Sequence, residues 1–137
     1  MVHHSIRFHF VAISLMVNPS LLPSQSHIVT GKRGEEIAEK HLLALGYKML
    51  GRNVRTEGGE IDLIAKDGEV VVFVEVKSRT KDDGFAPSSR VDSVKIKRLK
   101  GAGQSWLDEQ GEELSARIDV VGVCDGKVVE HFEDVGV

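Results

Sequence analysis

The stretch GEIDLIAKDGEVVVFVEVKSR, residues 59–79, decides the architecture. It contains two apolar runs, Ile61–Ala65 and Val70–Val76, joined by Lys66-Asp67-Gly68-Glu69. Runs this rich in Val, Ile and Phe form strands, because branched and aromatic side chains pack well on a pleated surface. Asp-Gly between them predicts a hairpin with positive φ at both central residues, a type I′ turn. Alternation along the second run places Val70, Val72, Val74 and Val76 on one face. The other face carries Val71, Phe73, Glu75, Lys77 and Arg79. A strand so apolar is expected to be central and covered, so Glu75 and Lys77 leave a hydrophobic run to set opposite charges side by side. On the first run Glu60, Asp62 and Ile64 share a face, and a matching register brings Asp62 near Glu75 across the ladder.

Working outward, residues from Gly34 to about Leu45 have helical spacing, with Ala38, Leu42 and Leu45 on one stripe and Gly46 as the stop. Glu35 falls inside that stripe, Glu36 points away and Glu39 lies on its flank. Tyr47–Val54 reads as a strand, and Asp83–Ser89, with Gly84 and Pro87, as a loop. A second helix is expected over residues 92–109, with Leu99, Gly103, Trp106 and Leu107 facing inward. Lys95, four residues before Leu99, shares that face, whereas Lys97, Arg98 and Lys100 point elsewhere. Ile118–Cys124 and Lys127–Phe132 make a second hairpin around Asp125-Gly126. The order α-β-β-β-α-β-β predicts an α/β fold with a mixed β-sheet flanked by helices, and excludes a repeat array or a doubly wound βαβ series.

The chain of 137 residues has room for one core. With 41% hydrophobic and 28% charged residues it belongs among soluble globules rather than disordered chains. A single cysteine, Cys124, excludes an internal disulfide, and no His/Cys cluster has zinc-ligand spacing. The net charge of −3 excludes a uniformly basic coat for nucleic acid. Charge is nevertheless segregated. Residues 77–100 hold eight Lys/Arg against three Asp, and residues 101–137 hold two basic against nine acidic residues. That pattern suggests a localised anion-binding face, or else a solvated charge run. Residues 1–30 hold four of the six histidines and no acid. They are expected to be a poorly ordered N-terminal extension, with a signal segment as the alternative, ahead of a domain at 31–137. The apolar run Phe8–Val17 is too short to span a bilayer.

Two carboxylates converging beside a lysine form a site for a hard divalent cation, because their mutual repulsion is relieved by a cation or a proton. The plainer alternative is a cross-strand ion-pair set at a sheet end. Glu35 on the inner side of the first helix, and Lys95 on the second, add two more segments that direct charge to one side of the sheet. Helix-end snorkelling is the bland account of both.

Gly34-Glu35-x-x-Ala38, Arg52-Asn53-x-Arg55, the run Gly59–Ile64, the run Phe73–Arg79 and Arg117-Ile118-Asp119-Val120-Val121 together resemble the YraN-like family of bacterial proteins. That family looks like part of the PD-(D/E)xK nuclease superfamily, with a restriction-endonuclease-like core similar to that of Holliday-junction resolvases. The resemblance covers about residues 31–133. It implies a metal-dependent endonuclease that hydrolyses DNA phosphodiesters and selects structure rather than sequence. Asp62, Glu75 and the Val76 carbonyl would hold Mg²⁺ or Mn²⁺, Glu35 would complete the site, and Lys77 would be the catalytic lysine. Arg55, Ser78, Arg79, Lys95, Lys97, Arg98 and Lys100 would grip nucleic acid, DNA before RNA. Ile61 stands where the superfamily name has proline. The expected setting is cytoplasmic, without membrane, and a homodimer is compatible with two-strand cleavage. The competing reading is a non-catalytic nucleic-acid-binding or protein-interaction module on the same fold.

Overall fold

The computed structural model describes residues 26–80 and 93–135. Its elements are α1 (Ser26–Ala44), β1 (Lys48–Thr56), β2 (Gly59–Asp67), β3 (Val70–Arg79), α2 (Ser93–Gln110), β4 (Ala116–Cys124) and β5 (Lys127–Phe132), in the expected order. The loop expected at Asp83–Ser89 and residues 1–25 of the extension expected at 1–30 lie outside the described residues, while residues 26–30 belong to α1. α1 starts at Ser26, ahead of the Gly34 start read from the pattern. Its end follows from Gly46, whose φ of 89° suits only a residue without a side chain. Gly46 N–H donates to Leu43 O (2.9 Å) and Tyr47 N–H to Leu42 O (3.1 Å), the two bonds of a Schellman motif. Leu45 therefore sits on the cap instead of continuing the stripe, and it is 51% exposed, whereas Ala38 and Leu42 are fully buried.

The five strands lie in the order β1-β2-β3-β4-β5. Only β3 and β4 run parallel, and α2 is the crossover that a parallel pair requires. α1 covers one face, packing Ala38 and Leu42 on Leu63, Val72, Val74 and Val121. α2 covers the other, packing Ile96, Leu99, Ala102 and Trp106 on Ile64, Val71, Phe73 and Val120. Ile96 and Ala102 belong to the inward face of α2, while Leu107 reaches only its margin. The Phe73 and Trp106 rings meet edge to face at 5.8 Å. A Cβ at Gly103 would come within 2.8 Å of the Phe73 ring, so this glycine sets how closely α2 approaches β3.

The two hairpins differ. Cys124 pairs with Lys127, which leaves Asp125 and Gly126 central with φ of 49° and 80°, as a type I′ turn requires. In the first hairpin Asp67 pairs with Val70, so the central residues are Gly68 and Glu69 and only Gly68 has positive φ. That pattern belongs to a type II′ turn, which needs glycine only at its first central position. The turn is displaced by one residue from the Asp-Gly reading because Asp67 stays in the ladder.

Among the described residues one carboxylate is entirely buried. Asp119 on β4 accepts from Arg117 Nε (3.0 Å), His131 Nε2 (2.8 Å) and the Asp134 N–H (3.1 Å). Arg117 also donates to Asp67 (2.8 Å) and to Tyr47 Oη (2.7 Å), and lies over the Tyr47 ring. His131 Nδ1 meets His41 Nε2 of α1 at 3.0 Å. This network ties β2, β4, β5, α1 and Tyr47, the residue just before β1, together on the α1 face. Burial alone would raise the Asp119 pKa, but the donors from His131, Arg117 and Asp134 outweigh it and hold the carboxyl below the usual range.

Replacing Asp119 by Ala takes the buried acceptor from Arg117, His131 and the Asp134 N–H at once, and a loss of about 3–5 kcal/mol is expected in urea unfolding. Because the folded pKa is depressed, the carboxylate's contribution is present above its unfolded pKa and is lost as pH falls through the folded value. Asp119→Asn should therefore flatten the acid limb of the stability–pH curve, and an unchanged acid limb would contradict the assignment.

Candidate functional site

β2 and β3 separate before either strand ends. Their ladder runs from Asp67–Val70 to Leu63–Val74 and stops there. Beyond that point β2 remains paired with β1 as far as Thr56–Gly59, and β3 remains paired with β4 as far as Arg79–Cys124. The main-chain N–H of Val76 thus loses its strand partner at the fork and donates instead to Asp62 Oδ2 at 2.9 Å. One register step past the last pair stand Asp62 and Glu75, on the face that carries Ile64 and Phe73. Their faces match, and the two carboxyls share a side-chain hydrogen bond.

The fork opens into a cleft of about 360 Å³ lined by Glu35, Asp62, Glu75, Val76, Lys77, Ser78, Arg79 and Lys95. Eight of the residues read from the sequence are thus brought together. Arg55, Lys97, Arg98 and Lys100 are exposed and outside this lining, and Lys100 borders a separate pocket with Gln104 and Leu107. Lys95 is itself exposed, because Ile96 takes the inward position on α2, yet its side chain reaches the cleft rim. The charges do not all come from one side of the sheet, as the sequence suggested. Glu35 belongs to α1 and Lys95 to α2, which cover opposite faces, and they meet only where the forked sheet ends. Gly34 makes this approach possible, since a Cβ there would lie 2.7 Å from Ser78 Oγ.

Sequence reasoning missed Asn53 as a site residue. The pairs Arg52–Leu63 and Val54–Ile61 place it opposite Asp62 on β1. Asn53 has a φ of 48° and its side chain hydrogen-bonds Glu35. A register count back from the Thr56–Gly59 pair, short of the Met49/Gly51 bulge, is the signal that finds it. Next to it, Arg52 pairs with Glu39, which is buried and not on an open flank.

The electrostatics are those of acids crowded out of water. Burial, then the neighbouring Asp62 charge, pushes Glu75 up to about 7, against the opposing pull of Lys95 and Lys77. Asp62 is raised by burial in spite of the Val76 N–H bond, and Glu35 is raised by burial and by Asp62. Among the described residues no three His, Cys, Asp or Glu side chains form a ready metal cluster. The donor set nonetheless fits a hard cation. Magnesium sites commonly use one or two carboxylates and fill the remaining positions with water and substrate oxygens.

The profile of the uncharacterised protein family UPF0102 matches residues 34–123. The chain belongs to the UPF0102 family. This is the YraN-like family that the sequence motifs resemble. A UPF0102 protein of Thermodesulfovibrio yellowstonii is 40% identical over 109 residues, covering 80% of this chain and 96% of its own length. One from Anaeromyxobacter dehalogenans is 44% identical over 106 residues, covering 74% and 79%. One from Kosmotoga olearia is 40% identical over 107 residues, covering 77% and 91%. The matched segment of the UPF0102 profile includes Glu35, Asn53, Asp62, Glu75, Lys77 and Lys95.

Because the folded pKa of Glu75 lies above its unfolded value, protonation favours the folded state, and this contribution fades as pH rises through about 7. The metal-free protein should lose thermal stability between pH 5 and pH 8, and Glu75→Gln should remove much of that slope. Equal slopes in calorimetry of the two proteins would contradict the buried-acid description.

Proposed function

We propose that the protein is a metal-dependent endonuclease that hydrolyses phosphodiester bonds of DNA, selecting branched or flapped structure rather than sequence. The observation that carries this reading is the Asp62–Glu75 pair at the strand fork, with Lys77 and Lys95 in the same cleft. An ion-pair set serving stability alone would pair each acid with a base. Here the two acids share a hydrogen bond with one another, and burial pushes both carboxyls up.

Asp62, Glu75 and the Val76 main chain would hold the cation, Mg²⁺ or Mn²⁺. When bound, a divalent cation supplies positive charge against the phosphate and a more acidic water. The Val76 N–H fixes the Asp62 carboxylate on β3, so the two acids keep one separation while substrate changes. Lys77 follows Glu75 on the same strand face and brings an ammonium that offsets charge developing on the phosphate. Glu35, held by Asn53, stands across the cleft where it accepts a proton from a water or orients it. Ser78, Arg79 and Lys95 line the rim and bind phosphate oxygens without reading bases, which makes affinity depend on salt. No helix among the described residues is long and apolar enough to cross a membrane.

Purified protein should cut branched DNA with Mg²⁺ or Mn²⁺ and be inactive in EDTA. Glu75→Ala and Lys77→Ala should each lower the rate by roughly 100-fold or more while leaving the circular dichroism spectrum intact. Salt-sensitive DNA binding with no cleavage under either metal would transfer the assignment to a binding module. Equal cleavage by the Glu75→Ala variant would remove the site from the reaction.

A further inference from the structure

Beyond the acidic cleft, β3 ends against a second cavity of about 300 Å³. Its walls include Arg33 of α1, Ser78, Arg79 and Thr80 at the end of β3, and Asp125 and Gly126 of the β4–β5 turn. Ser78 and Arg79 line both cavities, so the two adjoin at the end of β3. Asp125 N–H donates to Arg79 O at 3.3 Å, which ties the turn to the strand end. The Arg33 guanidinium lies against that turn, with Nη2 3.9 Å from where a Cβ on Gly126 would stand.

The lining has two guanidiniums and one carboxylate, so the character changes from the acidic pair Asp62 and Glu75 in the first cavity to Arg33 and Arg79 in the second. Elsewhere the arginines Arg52 and Arg117 are engaged, with Glu39 and with Asp67 and Asp119. Neither Arg33 nor Arg79 enters an ion pair among the described residues. A guanidinium at a cavity wall without a carboxylate partner presents a planar fork of donors matched to a phosphate. Glu75 and Arg79 are four strand residues apart, roughly 13 Å at about 3.3 Å per residue. That span exceeds one internucleotide step.

We propose that this cavity is a second phosphate subsite, which takes a DNA phosphate flanking the one seated in the acidic cleft. Arg33 and Arg79 supply the forks, and the Ser78 and Thr80 hydroxyls add donors. The proposal rests on the nuclease reading of the cleft and deepens it. The bound strand must continue past the scissile bond along the end of β3, so the substrate is an internal linkage and not a terminal nucleotide.

The test is binding of a fluorescent DNA oligonucleotide by the Glu75→Gln protein in EDTA, with and without Arg33→Gln, followed by anisotropy. A set of oligonucleotides each carries one uncharged methylphosphonate linkage, stepped along the strand. Arg33→Gln should weaken binding roughly tenfold, the effect of one charge-assisted contact, and should lower the salt slope by about one. One linkage should show the same loss in the Arg33-containing protein and no further loss when combined with Arg33→Gln. Losses that multiply at every linkage, or no binding of the oligonucleotide, overturn the subsite. Metal-dependent cleavage of the unmodified strand by the unaltered protein is scored separately. Its absence defeats the nuclease reading, whereas cleavage without the non-additive linkage defeats only the subsite.

Discussion

The candidate site depends on the parting of β2 from β3 after Leu63–Val74. A main-chain N–H inside a sheet cannot be left without an acceptor, and the Asp62 carboxylate meets that requirement for Val76. The same bond draws Asp62 across the gap to Glu75. Backbone satisfaction and the assembly of an acidic pair are thus one event. Without the fork, Asp62 and Glu75 would be ordinary cross-strand neighbours over a continuous ladder, with no cleft between them.

Two groups of sheltered carboxylates show how surroundings separate structure from chemistry. Asp119 is fully buried, yet its pKa is held down, because Arg117, His131 and the Asp134 N–H all donate to it. Asp62 and Glu75 are shifted up, because burial penalises their charges more than the few nearby donors and lysines offset, and Glu75 also faces the Asp62 charge. The first arrangement is complete in the folded chain and fastens β4 to its surroundings. The second is improved by an added positive charge, which is the physical meaning of a binding site. The sheet keeps them apart, with Asp119 on the α1 face and Glu75 on the α2 face.

Much of the fold was legible because strands have a side-chain period of two and apolar runs of strand length stand out. The faces of β3, the match of Asp62 with Glu75 and the second hairpin all follow from that period. The first turn was misplaced by one residue because Asp67 is held in the ladder and by Arg117, a contact fifty positions away. Lys95 was assigned to the inward face of α2 from Leu99 alone, whereas the helix centres on Ile96, Leu99, Gly103 and Trp106. The Asp119 network was not visible, because its members come from four elements and the segments beside them.

By itself the amino-acid sequence determined the order of elements, the hairpin that carries Asp62 and Glu75, the stop of α1 at Gly46 and membership of the UPF0102 family. These rest on local conformational preference and short-range spacing, which a linear string records directly. Tertiary structure alone decided that Glu35 and Lys95 arrive from opposite faces, that Asn53 reaches Glu35 from its place opposite Asp62, and that Arg33 and Arg79 line one cavity beside the β4–β5 turn. Such meetings depend on where the strands part and how closely the helices pack. Those features are set by the whole sheet at once, through contacts such as Gly34 on Ser78 and Gly103 on Phe73, for which sequence spacing has no signature.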